Sequence, residues 1–269
     1  MYSSVQLAKK YLTYWLKASN GKGHGTHSPF VFDFIKNVLN KKPHQSEVEG
    51  IEQIRHSLQE DNRLLTLEDF GAGSSIENIK QRTVASIAKN SLKSEKYAQL
   101  IYKIVKYYQP KTILELGTCL GITTSYLASA NKWAAVHTME GAHEVAQVAK
   151  DIFKKQSLDN IQITEGNFDD TLPAFIENFS KQHEGLDFAF IDGNHREAPT
   201  VSYFHGLKPL MHKDSIVVFD DIHWSEGMER AWEKIKNDDD VTLSIDLFFI
   251  GIVFFKKEFK VKQHFTIRY

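Results

Sequence analysis

Two short acidic runs in the second half of the chain carry side chains well suited to chemistry. One begins at Asp192 and ends at His195, and the other begins with Asp220 and Asp221 and ends at His223. Each follows an apolar stretch, so the acids should lie at the ends of neighbouring strands. Carboxylates brought together repel one another unless a proton or a cation intervenes. Because oxygen ligands suit Mg²⁺, Mn²⁺ or Ca²⁺, we predict a metal site formed by Asp192, Asp220 and Asp221.

The histidines of these runs are candidates for a general base. The pKa of an imidazole lies near neutrality, which suits proton transfer from a substrate hydroxyl. We predict His195 as the base, with Asp192 beside it in the catalytic site, and His223 as the competing candidate. The alternative is that the acids cap helices and the histidines are exposed loop residues.

The stretch from Ile113 to Gly121 predicts a strand, a tight turn and the start of a helix, the place where open α/β sheets bind nucleotides. Gly117 would let a ligand approach the main chain. The carboxylate of Glu115 would oppose a pyrophosphate but favour a ligand that carries an ammonium and a sulfonium. The full G-x-G-x-x-G pattern is also missing. We therefore predict S-adenosylmethionine (SAM) rather than a nicotinamide cofactor.

Two further strand ends complete the predicted cofactor site. Glu140 ends the second strand, where an acid commonly binds a ribose. Asn167 and Phe168 follow the third strand and are candidates for adenine contacts, although this stretch could simply begin a helix capped by Asp169. The predicted cofactor-binding residues are Glu115, Gly117, Thr118, Gly121, Thr123, Glu140, Gly141, Asn167, Phe168 and Asp192.

From residue 111 onward, strands alternate with helices, which predicts a mostly parallel sheet covered on both faces. The last two predicted strands are separated only at about Ile250-Gly251, so they must form a hairpin with one strand antiparallel. The seven predicted strands are Thr112–Leu116, Ala134–Met139, Ile161–Thr164, Leu186–Ile191, Ser215–Phe219, Val241–Phe249 and Gly251–Phe255. The predicted helices between them include 142–156, 171–182, 198–211 and 225–237.

The N-terminal part of the chain has a helical texture. Apolar spacing predicts helices over 5–16, 30–39, 46–60, 76–91 and 94–108. We predict residues 1–94 as a helical region that caps the substrate or mediates dimerisation, and residues 95–269 as the cofactor-binding domain.

Three other features are weaker candidates. The run from Asp69 to Ser74 resembles a glycine-rich cofactor loop, but only helices follow it, so we interpret it as a turn. The loop with His24 and His27 could cover a substrate, but a plain connection is the simpler interpretation. Cys119 has no neighbouring base, which argues against a catalytic thiol.

Composition restricts the setting of the protein. The 269 residues carry a formal net charge of −1, which argues against nucleic acid and anionic membranes as partners. The single cysteine excludes an internal disulfide, and no apolar run is long enough to span a bilayer. We expect a cytoplasmic protein with a small-molecule substrate, no nucleic-acid or membrane partner, and a homodimer as one option.

With these motifs, residues 95–256 resemble the class I SAM-dependent methyltransferases, close to the small-molecule O-methyltransferases. The resemblance rests on Glu115 to Gly121, on Glu140 and on the two acidic strand ends. It implies a Rossmann-like seven-stranded sheet with an antiparallel last strand. It also implies that Glu115 and Gly117 lie under the methionine part of SAM.

The metal-dependent members of that family, such as catechol and macrolide-sugar O-methyltransferases, add a further expectation. The resemblance implies that Asp192, Asp220 and Asp221 hold the ion and that His195 is the base. We predict O-methylation of a small-molecule hydroxyl, assisted by a divalent metal. The alternatives are a nicotinamide-dependent oxidoreductase, a non-catalytic SAM-binding protein, and methylation of RNA or protein.

Overall fold

The computed structural model describes residues 1–23, 27–67 and 80–269. The chain divides into two compact units. The first unit consists of Met1–Lys41 and Ile176–Tyr269, and the second of Lys42–Phe175. The predicted cofactor loop belongs to the second unit, and both acidic strand ends belong to the first.

The described helices and strands follow one another in a regular βα series after residue 111. The helices are α1 (Ser4–Lys17), α2 (Pro29–Phe34), α3 (Gln45–Glu60), α4 (Val84–Asn90), α5 (Glu95–Tyr108), α6 (Ile122–Ala130), α7 (His143–Lys155), α8 (Phe168–Gln182), α9 (Glu197–Leu207) and α10 (Glu226–Lys236). The strands are β1 (Leu64–Leu67), β2 (Lys80–Thr83), β3 (Thr112–Leu116), β4 (Ala135–Glu140), β5 (Ile161–Glu165), β6 (Phe188–Ile191), β7 (Ile216–Asp220), β8 (Leu243–Asp246), β9 (Ile250–Phe254) and β10 (Gln263–Thr266). A π-helical turn at Ile35–Leu39 extends α2, and a 3₁₀ turn at Lys208–Leu210 follows α9.

Eight strands, β3 to β10, form the mostly parallel sheet. Their order is β10-β8-β9-β7-β6 in the first unit and β3-β4-β5 in the second. Strand β9 runs antiparallel to both β7 and β8, whereas β6 pairs with β7, and β8 with β10, in parallel. Every residue of β3, β7 and β9 is buried, as expected for strands that are covered on both faces.

The predicted Rossmann-like α/β architecture is confirmed, with one strand more than the seven predicted. The seven predicted strands correspond to β3 to β9. The largest difference is at Val241–Phe249, where β8 covers only Leu243–Asp246, because residues 247–249 link β8 to β9. The antiparallel strand is β9, and the short strand β10, which follows it in parallel to β8, was not predicted.

The N-terminal region is helical as predicted, with one correction. The helix predicted over 76–91 is wrong at 80–83, where β2 pairs antiparallel with β1, and α4 covers only Val84–Asn90. Side-chain types in β2 carry no apolar alternation, so the pattern could not indicate a strand. The run Asp69 to Ser74 and His24 lie outside the described residues. The boundary at residue 94 stays a prediction.

Across residues 1–23, 27–67 and 80–269, no helix combines the length and the apolar character needed to cross a bilayer.

Candidate active site

The turn between β3 and α6 has an unusual backbone. Gly117, Cys119 and Gly121 all have positive φ, at 105°, 48° and 78°. A Cβ placed on Gly121 would lie 2.7 Å from a ring carbon of Phe153 and 3.0 Å from the Cβ of Ala149. The turn therefore requires glycine at position 121 both for its backbone angles and for its packing against α7.

Backbone hydrogen bonds tie this turn to the neighbouring strand β4. The N–H groups of Gly117 and Thr118 both donate to the carbonyl oxygen of Met139, at 3.0 and 3.1 Å. The hydroxyl of Thr118 is 2.6 Å from that of Thr138 and is buried, and Thr123 is buried as well. These contacts fix the turn to the end of β4.

Glu115 is fully buried beneath the turn. Its Oε2 accepts hydrogen bonds from the hydroxyls of Thr124 and of Thr138, the latter at 2.7 Å. Its Oε1 has no hydrogen-bond partner among the described residues. Burial raises the pKa of Glu115 to about 7, although the two hydroxyls act in the opposite direction. A cationic group of a ligand bound nearby would favour the ionised form of this carboxyl.

The carboxylate of Glu140 is fixed at the end of β4. Its Oε2 accepts a hydrogen bond from the N–H of Cys119 at 2.8 Å, and its Oε1 accepts one from the N–H of Ala142 at 2.9 Å. Burial raises the pKa of Glu140, while these backbone donors act to lower it. Each carboxylate oxygen has two lone pairs, so both can still accept a hydrogen bond from a ribose hydroxyl.

The segment after β5 begins α8. Gly166 has a φ of 130°. The side-chain oxygen of Asn167 accepts the N–H of Asp169 at 3.1 Å, and its carbonyl oxygen accepts the N–H of Thr171 at 2.9 Å. The helix is therefore capped by Asn167 and not by Asp169. Gly141, Asn167 and Phe168 are all half-buried, and their contacts with a cofactor stay predictions.

The acidic strand ends come together within the first unit. Asp192, His195 and Asp220 each place one ligand atom so that these atoms lie within 4.8 Å of one another. Nε2 of His195 is 3.6 Å from Oδ1 of Asp192, and Asp220 is buried. Two carboxylates and one imidazole are a donor set that fits a divalent cation.

This group differs from the predicted metal ligands in one member. Asp192 and Asp220 are together as predicted, but His195 takes the third place in the group. Asp221 has a φ of 52°, and its carbonyl oxygen accepts the N–H of Trp224 at 2.9 Å. Its role as a metal ligand stays a prediction.

His223 lies in a different environment from His195. Its Nδ1 is 3.0 Å from Oε1 of Glu229, and its Nε2 is 2.8 Å from Oδ2 of Asp246. The two carboxylates raise the pKa of His223 against the effect of its burial, and its ring stacks on Phe248. Because both nitrogens are engaged, His223 is poorly placed to act as a base.

Sequence reasoning missed Thr124 and Thr138, the hydroxyl donors to Glu115. The signal for Thr138 was present in the strand register, because Thr138 is paired with Glu115 across β3 and β4. Thr124 lies in the first turn of α6, directly after the predicted cofactor loop. Polar residues at buried positions next to an acid were the available indication that these hydroxyls donate to Glu115.

Known proteins resemble this chain in sequence and in fold. Residues 114–222 match the family model described as a methyltransferase domain. No curated protein matches the sequence significantly. An O-methyltransferase from Bacillus cereus, solved with S-adenosylhomocysteine (SAH), is 19% identical with a TM-score of 0.53, over 84% of this chain and 97% of that one.

Two other solved structures are similar in fold. An SAH-bound methyltransferase from Podospora anserina is 12% identical with a TM-score of 0.58, over 96% of this chain and 98% of that one. The O-methyltransferase TomG from Streptomyces achromogenes, involved in tomaymycin synthesis and solved with SAM, is 18% identical with a TM-score of 0.52, over 61% and 82%. Residues 114–222 therefore match a methyltransferase domain, and the chain shares the fold of these solved methyltransferases.

Proposed function

We propose that this protein transfers the methyl group of SAM to a hydroxyl oxygen of a small molecule. The observation that carries the proposal is the buried carboxylate of Glu115, which leaves one oxygen open beneath the β3–α6 turn. In its ionised form this carboxylate would repel the pyrophosphate of a nicotinamide cofactor. The same anion would attract a ligand with an ammonium and a sulfonium.

The cofactor site proposed here lies mainly in the second unit. The turn supplies Gly117, Thr118 and Gly121, and the first turn of α6 supplies Thr123. Glu115 faces the methionine part of SAM, and Glu140 accepts hydrogen bonds from the ribose hydroxyls. Gly141, Asn167 and Phe168 border the nucleoside. Asp192 stays a predicted cofactor contact.

Methyl transfer requires a nucleophilic oxygen in line with the sulfonium, so positioning and deprotonation are the tasks of the protein. We assign the deprotonation to His195, whose Nε2 would accept the hydroxyl proton. The carboxylate of Asp192, 3.6 Å from that nitrogen, would stabilise the resulting imidazolium.

A divalent cation is a further part of the proposal. Asp192 and Asp220 would hold it, with either Asp221 or His195 as a third ligand. Such an ion, when bound, would lower the pKa of a substrate hydroxyl. If His195 binds the ion, it cannot at the same time act as the base. Cation dependence of the His195→Gln variant would separate the two roles.

The setting of the enzyme is proposed from composition. The single cysteine, Cys119, lies half-buried in the cofactor turn, and a reducing compartment such as the cytoplasm suits a chain without disulfides. We propose a homodimer through the apolar N-terminal helices as an alternative to a monomer.

Calorimetric titration of SAM, SAH and NADH tests the cofactor assignment. We expect micromolar binding of SAM and SAH and no binding of NADH. Glu140→Gln should weaken SAM binding at least tenfold, because the ribose loses a charged acceptor.

Glu165→Gln is the matched control for Glu140→Gln. Glu165 pairs with Glu140 in the strand register but contacts Lys150 and His143 on α7, so its replacement should leave the SAM affinity within twofold. Binding of NADH without SAM would overturn the proposal.

A further inference from the structure

Helix α1 has two apolar faces, and only one of them is covered. On the inner face, Tyr14 is buried with Phe248, and Leu7 and Tyr11 pack against the same cluster. The ring centroids of Tyr11 and Phe248 are 5.0 Å apart in an edge-to-face arrangement. This contact accounts for Leu7, Tyr11 and Tyr14 among the apolar residues of the helix.

Polar contacts hold α1 in a fixed orientation on the first unit. The hydroxyl of Tyr14 donates to the carbonyl oxygen of Ile267. The hydroxyl of Tyr2 donates to Glu229 at 2.7 Å, and Nζ of Lys10 donates to both oxygens of Glu229 at 3.0 Å. The opposite face is therefore presented to solvent by a helix that is already anchored.

That opposite face carries large apolar side chains, which we name the outer stripe: Val5, Leu12, Trp15 and Leu16. Their exposed fractions are 65%, 58%, 47% and 66%. Residues at this spacing share one side of a helix. Exposed apolar residues that adjoin one another on a folded protein mark an interaction site more often than isolated ones do.

The surroundings of the outer stripe are basic. Lys9 lies on the same side of α1, three residues before Leu12, and Lys17 follows Leu16 directly; α1 contains no acidic residue. Neither lysine makes an ion pair within the described parts of the chain. The guanidinium of Arg268 lies 4.3 Å from the centre of the Trp15 ring.

We infer that the outer stripe of α1 docks onto the surface of an anionic lipid bilayer. A helix with leucine and tryptophan on one side and lysines beside them lies in the interface of a membrane, and anionic headgroups attract the lysines. Because α1 is already folded and anchored, docking would cost little ordering entropy. The low net charge of the whole chain, which argues against a membrane partner, does not describe this local surface.

Charge favours a bilayer over a second copy of the chain. Pairing α1 with itself would bring the lysines of both helices together without any acid on either helix to balance them. A bilayer supplies the anions that a second α1 lacks. The inference does not depend on the proposed methyl transfer.

The test is flotation of the full chain with vesicles of phosphatidylcholine alone or with phosphatidylglycerol added. We expect at least tenfold more protein on the anionic vesicles, and less as salt is increased. The double variant Leu12→Gln with Leu16→Gln should lose at least nine-tenths of this binding. Lys9→Gln with Lys17→Gln should weaken it severalfold, mostly at low salt.

Val261→Gln is the matched control, because Val261 is 75% exposed in the same unit but outside α1, and it should bind as the unchanged chain does. Circular dichroism and light scattering on each variant report folding and oligomeric state. Equal binding to both kinds of vesicle, or none, would overturn the inference. So would a dimer that the Leu12→Gln, Leu16→Gln variant dissociates, since a second copy would then cover the outer stripe.

Discussion

The loops after β6 and β7 have the same local spacing and opposite environments. In each, a histidine follows a strand-end aspartate by three residues: His195 follows Asp192, and His223 follows Asp220. The side chain of His195 is one-third exposed and has a carboxylate at 3.6 Å. His223 has a carboxylate within 3.0 Å of each ring nitrogen. Tertiary contacts, not the local sequence, distinguish a candidate base from a histidine held by two carboxylates.

The largest expected effect on the reaction rate comes from a substitution in the loop after β6. His195→Gln should lower the rate of SAH formation about 1,000-fold, because general-base catalysis contributes on this scale. Its SAM affinity and its thermal midpoint should stay close to those of the unchanged protein. A loss of activity in His223→Gln but not in His195→Gln would reverse the two assignments.

A substitution in the loop after β7 should change the stability of the protein rather than its activity. His223→Gln removes two hydrogen bonds between charged groups and leaves Glu229 and Asp246 without their shared partner. We expect a loss of about 2 kcal/mol in the free energy of unfolding, measured by urea titration at pH 6. SAH formation per folded molecule should change less than threefold.

A smaller effect on the reaction rate should distinguish a catalytic aspartate–histidine pair from a structural one. Asp192→Asn should lower the rate about tenfold, because it removes the charge that stabilises an imidazolium at His195. The matched control is Asp187→Asn, since Asp187 also contacts a histidine, His212, at 2.9 Å. Equal rates in the two variants would mean that Asp192 has no role in the transfer.

The smallest expected effect is a pH dependence of stability caused by the buried acid Glu115. Its folded pKa of about 7 lies above its ordinary value of 4.5, so its contribution to stability is complete below pH 4.5 and is lost as pH rises through 7. Between pH 6 and 8, the unchanged protein should lose about 1 kcal/mol relative to Glu115→Gln. Parallel stability curves for the two proteins would contradict this assignment.

The βα series could be predicted because its strands are short apolar runs separated by helical periods. The hairpin of β8 and β9 followed from the short distance between two apolar runs. Strand β2 was missed because Lys80 to Thr83 has no apolar alternation. Strand β10 was missed because Phe265 is the single apolar residue among its four, so its sequence is not an apolar run.

The site was predicted in part for the same reasons. Strand ends indicate which residues reach one edge of a sheet, so Asp192 and Asp220 could be placed near each other. The local sequence pattern does not determine the direction in which a side chain points. The sequence alone therefore could not show that His195 joins this group, or that His223 turns toward Glu229 and Asp246.

The attachment of α1 has a consequence for the order of events during synthesis. The hydroxyl of Tyr14 bonds to Ile267, 253 residues later in the chain, and Ser19 pairs with the segment that follows β10. At the usual pace of translation, α1 emerges roughly 10 to 50 seconds before these partners exist. During that interval both of its apolar faces are uncovered, so we expect a chaperone that holds nascent chains to bind α1.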